Sequence, residues 1–258
     1  MENKQNLHIF EQINMDQPVE IKENKQAAQP HIEYYIEAAH SFAAMSYQGV
    51  YLLDLVDNRY LYMSDYPLMR CGMTDEEVLS NGLDSLAAHI PQEELALLND
   101  IAGTVRSAYA NMPPQIRARM MLYLNFHVVG DRRPIMVCHK MKLIHFDPSG
   151  NPRLLLGLVA PSPYDGAASI MAGIPDTDQR YSCSAEDHSW HLIRPERLSP
   201  DELTMLRLSI QGHSIESIAD LMCKSVDTIK YYRRQVFQKL NVKNIPEAIA
   251  YVTHYCLI

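Results

Sequence analysis

The sequence predicts an α+β protein in two parts: an antiparallel sheet with flanking helices, then an all-α group of four short helices at the C-terminal end. Three observations predict it. Through the first 160 residues, runs rich in Val, Leu, Ile and Tyr are closed by breakers such as Asp57-Asn58, Gly130-Asp131 and Asp147-Pro148-Ser149-Gly150. From Arg197 onward the apolar residues switch to helical spacing, and each run follows a capping residue. Charge divides at the same place. The chain carries a net charge of -8, yet from Arg197 there are 8 Lys and Arg against 6 Asp and Glu. The rest holds 15 basic against 25 acidic groups. Such asymmetry points to one part that meets phosphate and another that does not.

The 258 residues suffice for two modest domains, and a hydrophobic fraction of 47% suits a globular chain. No run of eighteen apolar residues occurs, so no membrane span is expected. The first residues, MENKQNLHIFEQINMDQ, lack the basic and apolar regions of a secretory signal. Five scattered cysteines fit reduced thiols better than a disulfide frame, so a cytoplasmic protein is expected.

In chain order, residues 1–30 are polar and read as a flexible tail or a short helix. Ile32, Tyr35, Ile36, Ala39 and Phe42 lie along one stripe, which predicts a helix over 31–45. Val50 to Val56 and Tyr60 to Ser64 predict a hairpin. Thr74-Asp75-Glu76-Glu77 and Pro91-Gln92-Glu93-Glu94 start helices, the second with Leu95, Leu98, Ile101 and Val105 on one face. Three strands follow: Leu122 to Val129, Pro134 to Phe146 and Arg153 to Ala160. Residues 163–196, rich in Pro, Gly, Ser and Asp, read as a linker.

Within 197–258, Ser199-Pro200-Asp201-Glu202 forms a capping box with Pro at the first helical position, and Gly212 is placed to end that helix. Ser214 caps the second helix, Ser225 the third and Asn244 the fourth. The connection Cys223-Lys224-Ser225 is short enough for a helix-turn-helix. At about 100° per residue, Ile229, Val236 and Leu240 of the third helix share an arc with Val226. Asp227, Lys230, Tyr231, Arg234 and Gln238 lie opposite, where side chains can reach base edges in a major groove. Ser225, Thr228 and Lys239 sit where contacts to the DNA backbone fit. Arg233 falls near the apolar arc, so its stem packs and its tip seeks a carboxylate or a phosphate. An isolated basic helix is as often a solvated face; the short turn, the caps and the charge contrast tip the balance toward DNA.

The segments LSPDELTMLRL, IESIADLM, SVDTIKYYRRQVFQKLNV and NIPEAIAY resemble the LuxR-type (GerE-type) helix-turn-helix. The resemblance implies that the third helix enters the major groove, with Lys230, Tyr231 and Arg234 facing bases, and that the fourth helix takes part in a dimer contact. Tyr232 stands where that family often has His, and Gln211-Gly212-His213-Ser214 departs from its usual turn. The order helix, two strands, short helices, three strands over 31–162 resembles a PAS domain. That implies a unit which senses a small molecule, binds a cofactor or pairs with another PAS unit.

No cofactor is assigned. Arg70-Cys71-Gly72 does not match the Asn-Cys-Arg motif of flavin photosensors, and His89 and His127 are the candidates for a haem ligand. Tyr62, Asn125, His127 and His139 are the ligand-binding candidates if they share a cavity, which depends on strand parity. No metal site is expected from Cys183, His188 and His191, which lack the spacing of four ligands. No P-loop, dinucleotide fingerprint or nucleophile pair is present, so the chain is not expected to be an enzyme. Tyr51-Leu52-Leu53-Asp54-Leu55 is superficially like a phosphoacceptor strand, without an earlier acidic pair.

The expectation is therefore a bacterial transcription regulator: a homodimer on double-stranded DNA, with a small-molecule ligand or a dimer contact in the PAS-like part. The alternatives are a PAS-like protein-protein interaction module without ligand, and an atypical phosphorelay regulator.

Overall fold

The computed structural model describes residues 31–254, apart from 83, 111, 130–132, 148, 163–165, 175–179, 185–188 and 194–196. The expectations for residues 1–30, Ile101, His188 and Cys256 lie outside the described positions or side chains. The chain divides into two compact units, with the change after Ile193.

The first unit runs α1 (Ile32–Met45), β1 (Gly49–Asp54), β2 (Arg59–Met63), α2 (Pro67–Arg70), α3 (Asp75–Asn81), α4 (Asp84–Ala87), α5 (Gln92–Ala110), α6 (Pro114–Arg119), β3 (Met121–Val128), β4 (Ile135–Phe146) and β5 (Pro152–Pro161). That is the PAS-like order expected from the sequence. Three further strands follow, β6 (Ser169–Gly173), β7 (Arg180–Cys183) and β8 (Trp190–Ile193). All eight join one antiparallel sheet in the order β2-β1-β5-β4-β3-β6-β7-β8.

β1 is the keel of this sheet, and every one of its residues is buried. Tyr51 and Leu53 enter the main core, while Val50 and Leu52 pack beneath α1 against Ala39, Tyr35 and Ile36. A strand covered on both faces needs an unbroken apolar run, which Val50 to Leu53 supplies. Its phenol also needs room. Tyr51 lies directly across from Gly157 of β5. A Cβ on Gly157 would sit 2.0 Å from the Tyr51 ring. The glycine is therefore the floor on which that ring lies flat.

Asp54 ends β1. It is fully buried, and its Oδ1 accepts from the backbone of Val56 at 2.9 Å and of Asp57 at 3.4 Å. The carboxylate closes an antiparallel hairpin. It is not the exposed acceptor of a parallel receiver sheet, which removes the residue on which the phosphorelay alternative rested.

The expectation of a linker over 163–196 is corrected, since three strands occupy much of it. Ile170, Ala172, Ile174, Tyr181, Cys183 and Trp190 all enter the main core. Each strand is only 4 or 5 residues long and contributes one to two core residues. Alternation that brief is masked by the Pro, Gly and Asp between the strands.

The second unit holds α7 (Pro200–Ile210), α8 (Ile215–Leu221), α9 (Val226–Leu240) and α10 (Ile245–His254). Met205, Leu206, Ile218, Ala219, Ile229, Val236, Leu240, Val242, Ala248 and Val252 form its core. The caps fall where the sequence places them. Ser199 Oγ accepts from Glu202 N at 3.2 Å, while the Ser199 amide donates to Glu202 Oε2 at 2.6 Å. Ser214 and Ser225 accept from the amides of Ser217 and Thr228, and Asn244 from that of Glu247.

Three of these helices end alike. His213 N donates to Leu208 O, Lys224 N to Ala219 O and Val242 N to Phe237 O, at 3.2, 2.9 and 3.0 Å. Each is the six-to-one bond of a Schellman turn, with the residue before it in the left-handed region. Gly212 takes that conformation freely, at φ 84°. Cys223 and Asn241 take it with a side chain, both at φ 53°.

Two stability outcomes follow from this geometry. Gly157→Ala should destabilise the sheet unit by about 1–3 kcal/mol, because the Tyr51 ring must leave its minimum. Cys223→Gly should stabilise the helical unit by about 1 kcal/mol, by relieving the left-handed penalty on a residue with a Cβ. Both are read as shifts in the denaturant midpoint; the reverse sign for either contradicts the geometry described.

Candidate functional site

α9 turns its apolar arc inward, with Ile229, Val236 and Leu240 buried. Ser225, Asp227, Lys230, Tyr231, Arg234 and Gln238 are exposed, and Thr228 is half-buried. Asp227 Oδ1 lies 3.7 Å from Lys230 Nζ, an exposed pair one turn apart that contributes little to stability. Ser225 and Thr228 share their hydroxyls at 2.8 Å. Both therefore belong to the cap and present its outer edge.

Two sequence expectations change here. Lys239 is not available to phosphate. Its ammonium donates to Glu202 Oε2 at 2.8 Å, Glu202 Oε1 at 3.0 Å and Arg197 O at 3.3 Å, which uses all three protons. Glu202 is only 3% exposed, so this ion pair ties the foot of α7 to the last turn of α9. Arg233 meets no carboxylate among the described residues; its guanidinium lies 5.3 Å from the centre of the Phe237 ring. Spacing alone places a cation on a face and cannot see which partner the next helix brings.

Spacing gives no sign of the contacts that Asp201 makes. Its Oδ2 accepts from the Tyr232 hydroxyl at 2.7 Å and lies 3.7 Å from Lys224 Nζ. The hydrogen bond to Asp201 is the first cause that raises the Tyr232 phenol above its ordinary range. α7 thus grips both the turn before α9 and the middle of that helix.

In the sheet unit, the four ligand candidates do not share a cavity. His139 is on the core face of β4 with Val137, and its register partner Leu124 lies on the same face. Asn125 pairs with Cys138 on the opposite side. Its amide donates to Ser169 Oγ at 3.2 Å and helps seat β6 on β3. His127 is engaged by Glu94 of α5, whose carboxylate takes the ring Nδ1 at 2.6 Å and the backbone N–H at 2.7 Å. Tyr62 packs under α1, with its ring 5.8 Å from that of His40. A bulge explains Tyr62: Leu52 pairs with Tyr62 but Leu53 with Tyr60, so Leu61 is extra and Tyr60 and Tyr62 fall on opposite faces. His89 hydrogen-bonds through its ring to Val129 O at 3.2 Å.

His139 is a buried polar group on the core face. It is 4% exposed, between the rings of Phe126 at 4.7 Å and Tyr51 at 5.9 Å. Its Nδ1 meets the Tyr51 hydroxyl at 3.5 Å, and its Nε2 has no hydrogen-bond partner among the described residues. Burial pushes the His139 imidazole down from 6.5 to about 3. Burial, with the nearby Tyr60 and Cys138, pushes the Tyr51 phenol well up. Both are neutral across the physiological range. An unpartnered neutral nitrogen in an aromatic surround suits an uncharged molecule with one hydrogen-bonding group.

Among the described residues no helix is long and apolar enough to cross a membrane.

Residues 196–252 match the model of the bacterial regulatory proteins of the luxR family. The helical unit is a LuxR-type helix-turn-helix domain. The chain is 27% identical over 99 residues to the transcriptional activator protein BglJ of Escherichia coli (strain K12). That match covers 35% of this chain and 44% of BglJ, so the chain spans less than half of the relative's length. Among solved structures, a phage VqmA-DPO complex overlaps 88% of this chain and 93% of its own, at 13% identity and a TM-score of 0.34. A Vibrio cholera VqmA-ligand-DNA complex overlaps 83% and 86%, at 12% identity and a TM-score of 0.31.

Glu202→Ala removes both the capping carboxylate and the partner of Lys239, and should cost roughly 3 kcal/mol, read by thermal or urea unfolding of the helical unit. His139 supplies a pH signature. Folded, it stays neutral down to about 3, whereas unfolded it binds a proton below 6.5. Its contribution to stability is therefore complete above 6.5 and is lost as the pH falls through that window. A His139→Gln variant should lose stability less steeply than the parent between these limits; identical slopes in urea titrations contradict the burial.

Proposed function

We propose that this chain is a transcription regulator that binds double-stranded DNA as a homodimer through α9, and that its PAS-like unit takes a small uncharged ligand at His139. The single observation that carries the DNA reading is the outward face of α9. Lys230, Tyr231, Arg234 and Gln238 are exposed on a helix seated in a LuxR-type domain. Of the six basic residues from Lys224 to Lys243, Lys239 is tied to Glu202 and Lys224 lies near Asp201, which leaves Lys230, Arg233, Arg234 and Lys243. Such a surface matches phosphate in charge and a major groove in width.

One recognition helix reads few base pairs. A pair of heads about one duplex turn apart, ~34 Å, supplies the missing contacts. The outer side of α1 supports pairing through the PAS-like unit: Tyr34, Phe42, Met45 and the following Tyr47 are 66, 40, 78 and 101% exposed. That surface also favours a second reading, in which the unit docks a partner and needs no ligand. The unpartnered Nε2 of His139 weighs for the ligand.

The test is a titration of the full chain onto duplexes selected from a random pool. Lys230→Ala and Arg234→Ala should each weaken binding by about 1–3 kcal/mol, with the logarithm of affinity falling linearly against that of salt. Unchanged affinity in both variants overturns the DNA reading. For the ligand, protein purified from cells should release a small molecule on denaturation that a His139→Leu variant lacks.

A further inference from the structure

Tyr231 is an unusual tenant of the outer face of α9. It is 49% exposed, with Lys230 before it and Arg234 three residues on, and it adds nothing to the core of the domain. The neighbouring Tyr232 does the opposite. It packs against that core, and its hydroxyl is fixed to Asp201 at 2.7 Å. The two rings lie 6.1 Å apart with a tilt of 56°. The exposed ring is therefore braced by a buried-side neighbour that is itself anchored to α7.

The chemistry of that face is otherwise polar. Lys230 and Arg234 only donate hydrogen bonds, Asp227 only accepts, and Gln238 does both. The Tyr231 ring is the one large apolar surface among them. In a major groove the apolar feature that a base pair offers is the 5-methyl group of thymine.

We propose that Tyr231 is a specificity-determining residue that packs its ring on a thymine methyl in each half-site, and that Tyr232 and Asp201 position it. The proposal rests on the reading that α9 enters the groove. It assigns the ring, rather than the hydroxyl, to DNA. It also gives the Tyr232–Asp201 bond a role beyond holding the bundle together.

The experiment uses the full chain and duplexes selected from a random pool. Each thymine is replaced in turn by deoxyuridine, which removes the methyl and leaves pairing intact. At one thymine in each half-site the parent protein should lose about fivefold in affinity, the worth of one buried methyl. Tyr231→Phe should keep that preference. Tyr231→Ala should bind more weakly and treat thymine and uridine alike. Tyr232→Phe keeps its ring and drops the Asp201 bond; it should blunt the methyl preference, whereas a purely structural role would weaken both duplexes equally. A parent protein indifferent to every replacement overturns the proposal. So does a Tyr231→Phe variant that weakens on both duplexes equally, which would assign the hydroxyl to a phosphate. Failure to select any duplex is a different result, and it overturns the DNA reading together with this one.

Discussion

Glu202 is the group on which the helical domain is organised. One oxygen of its carboxylate accepts the Ser199 amide at the foot of α7, and both oxygens receive Lys239 from the last turn of α9. The group is almost wholly buried, so the pair cannot be exchanged cheaply for water. Two helices that are distant in sequence are thereby fixed at one crossing. Asp201, one residue earlier, repeats the device on the outer side with Tyr232 and Lys224. The direction in which Lys230, Tyr231 and Arg234 point is thus set by the first turn of another helix.

The sheet unit depends on a comparable economy around Tyr51. Gly157 gives its ring a place to lie, and the ring brings a hydroxyl to His139 across the strand between. With Phe126 and Tyr60 the result is a packed aromatic group holding one neutral imidazole. Desolvation makes a charge there expensive. A ligand at His139, as proposed, would be held by shape and a neutral hydrogen bond.

Much of this was legible beforehand, and the failures have physical causes. The caps at Ser199, Ser214, Ser225 and Asn244 are local chemistry, so sequence spacing places them. The buried side of α9 follows from the helical period. The role of Lys239 is hidden because its partner, Glu202, comes from a contact that spacing cannot report. Tyr62 and His139 fall on different faces because a single bulge at Leu61 reverses strand parity, which the residue pattern does not show. β6 to β8 read as a linker because two alternating residues do not make a pattern, although Trp190 and Tyr181 are apolar enough to mark a core.

Those three added strands tie the rim of the sheet back to its aromatic group. β8 is the last strand before the chain continues toward Arg197, and it is registered through β7 and β6 onto β3. β3 carries Phe126, whose ring lies against His139. A ladder of backbone hydrogen bonds therefore runs from the ligand candidate to the strand that leads out of the sheet. A ladder transmits nothing by continuity alone; a ligand shifts it only by binding two of its arrangements with unequal affinity.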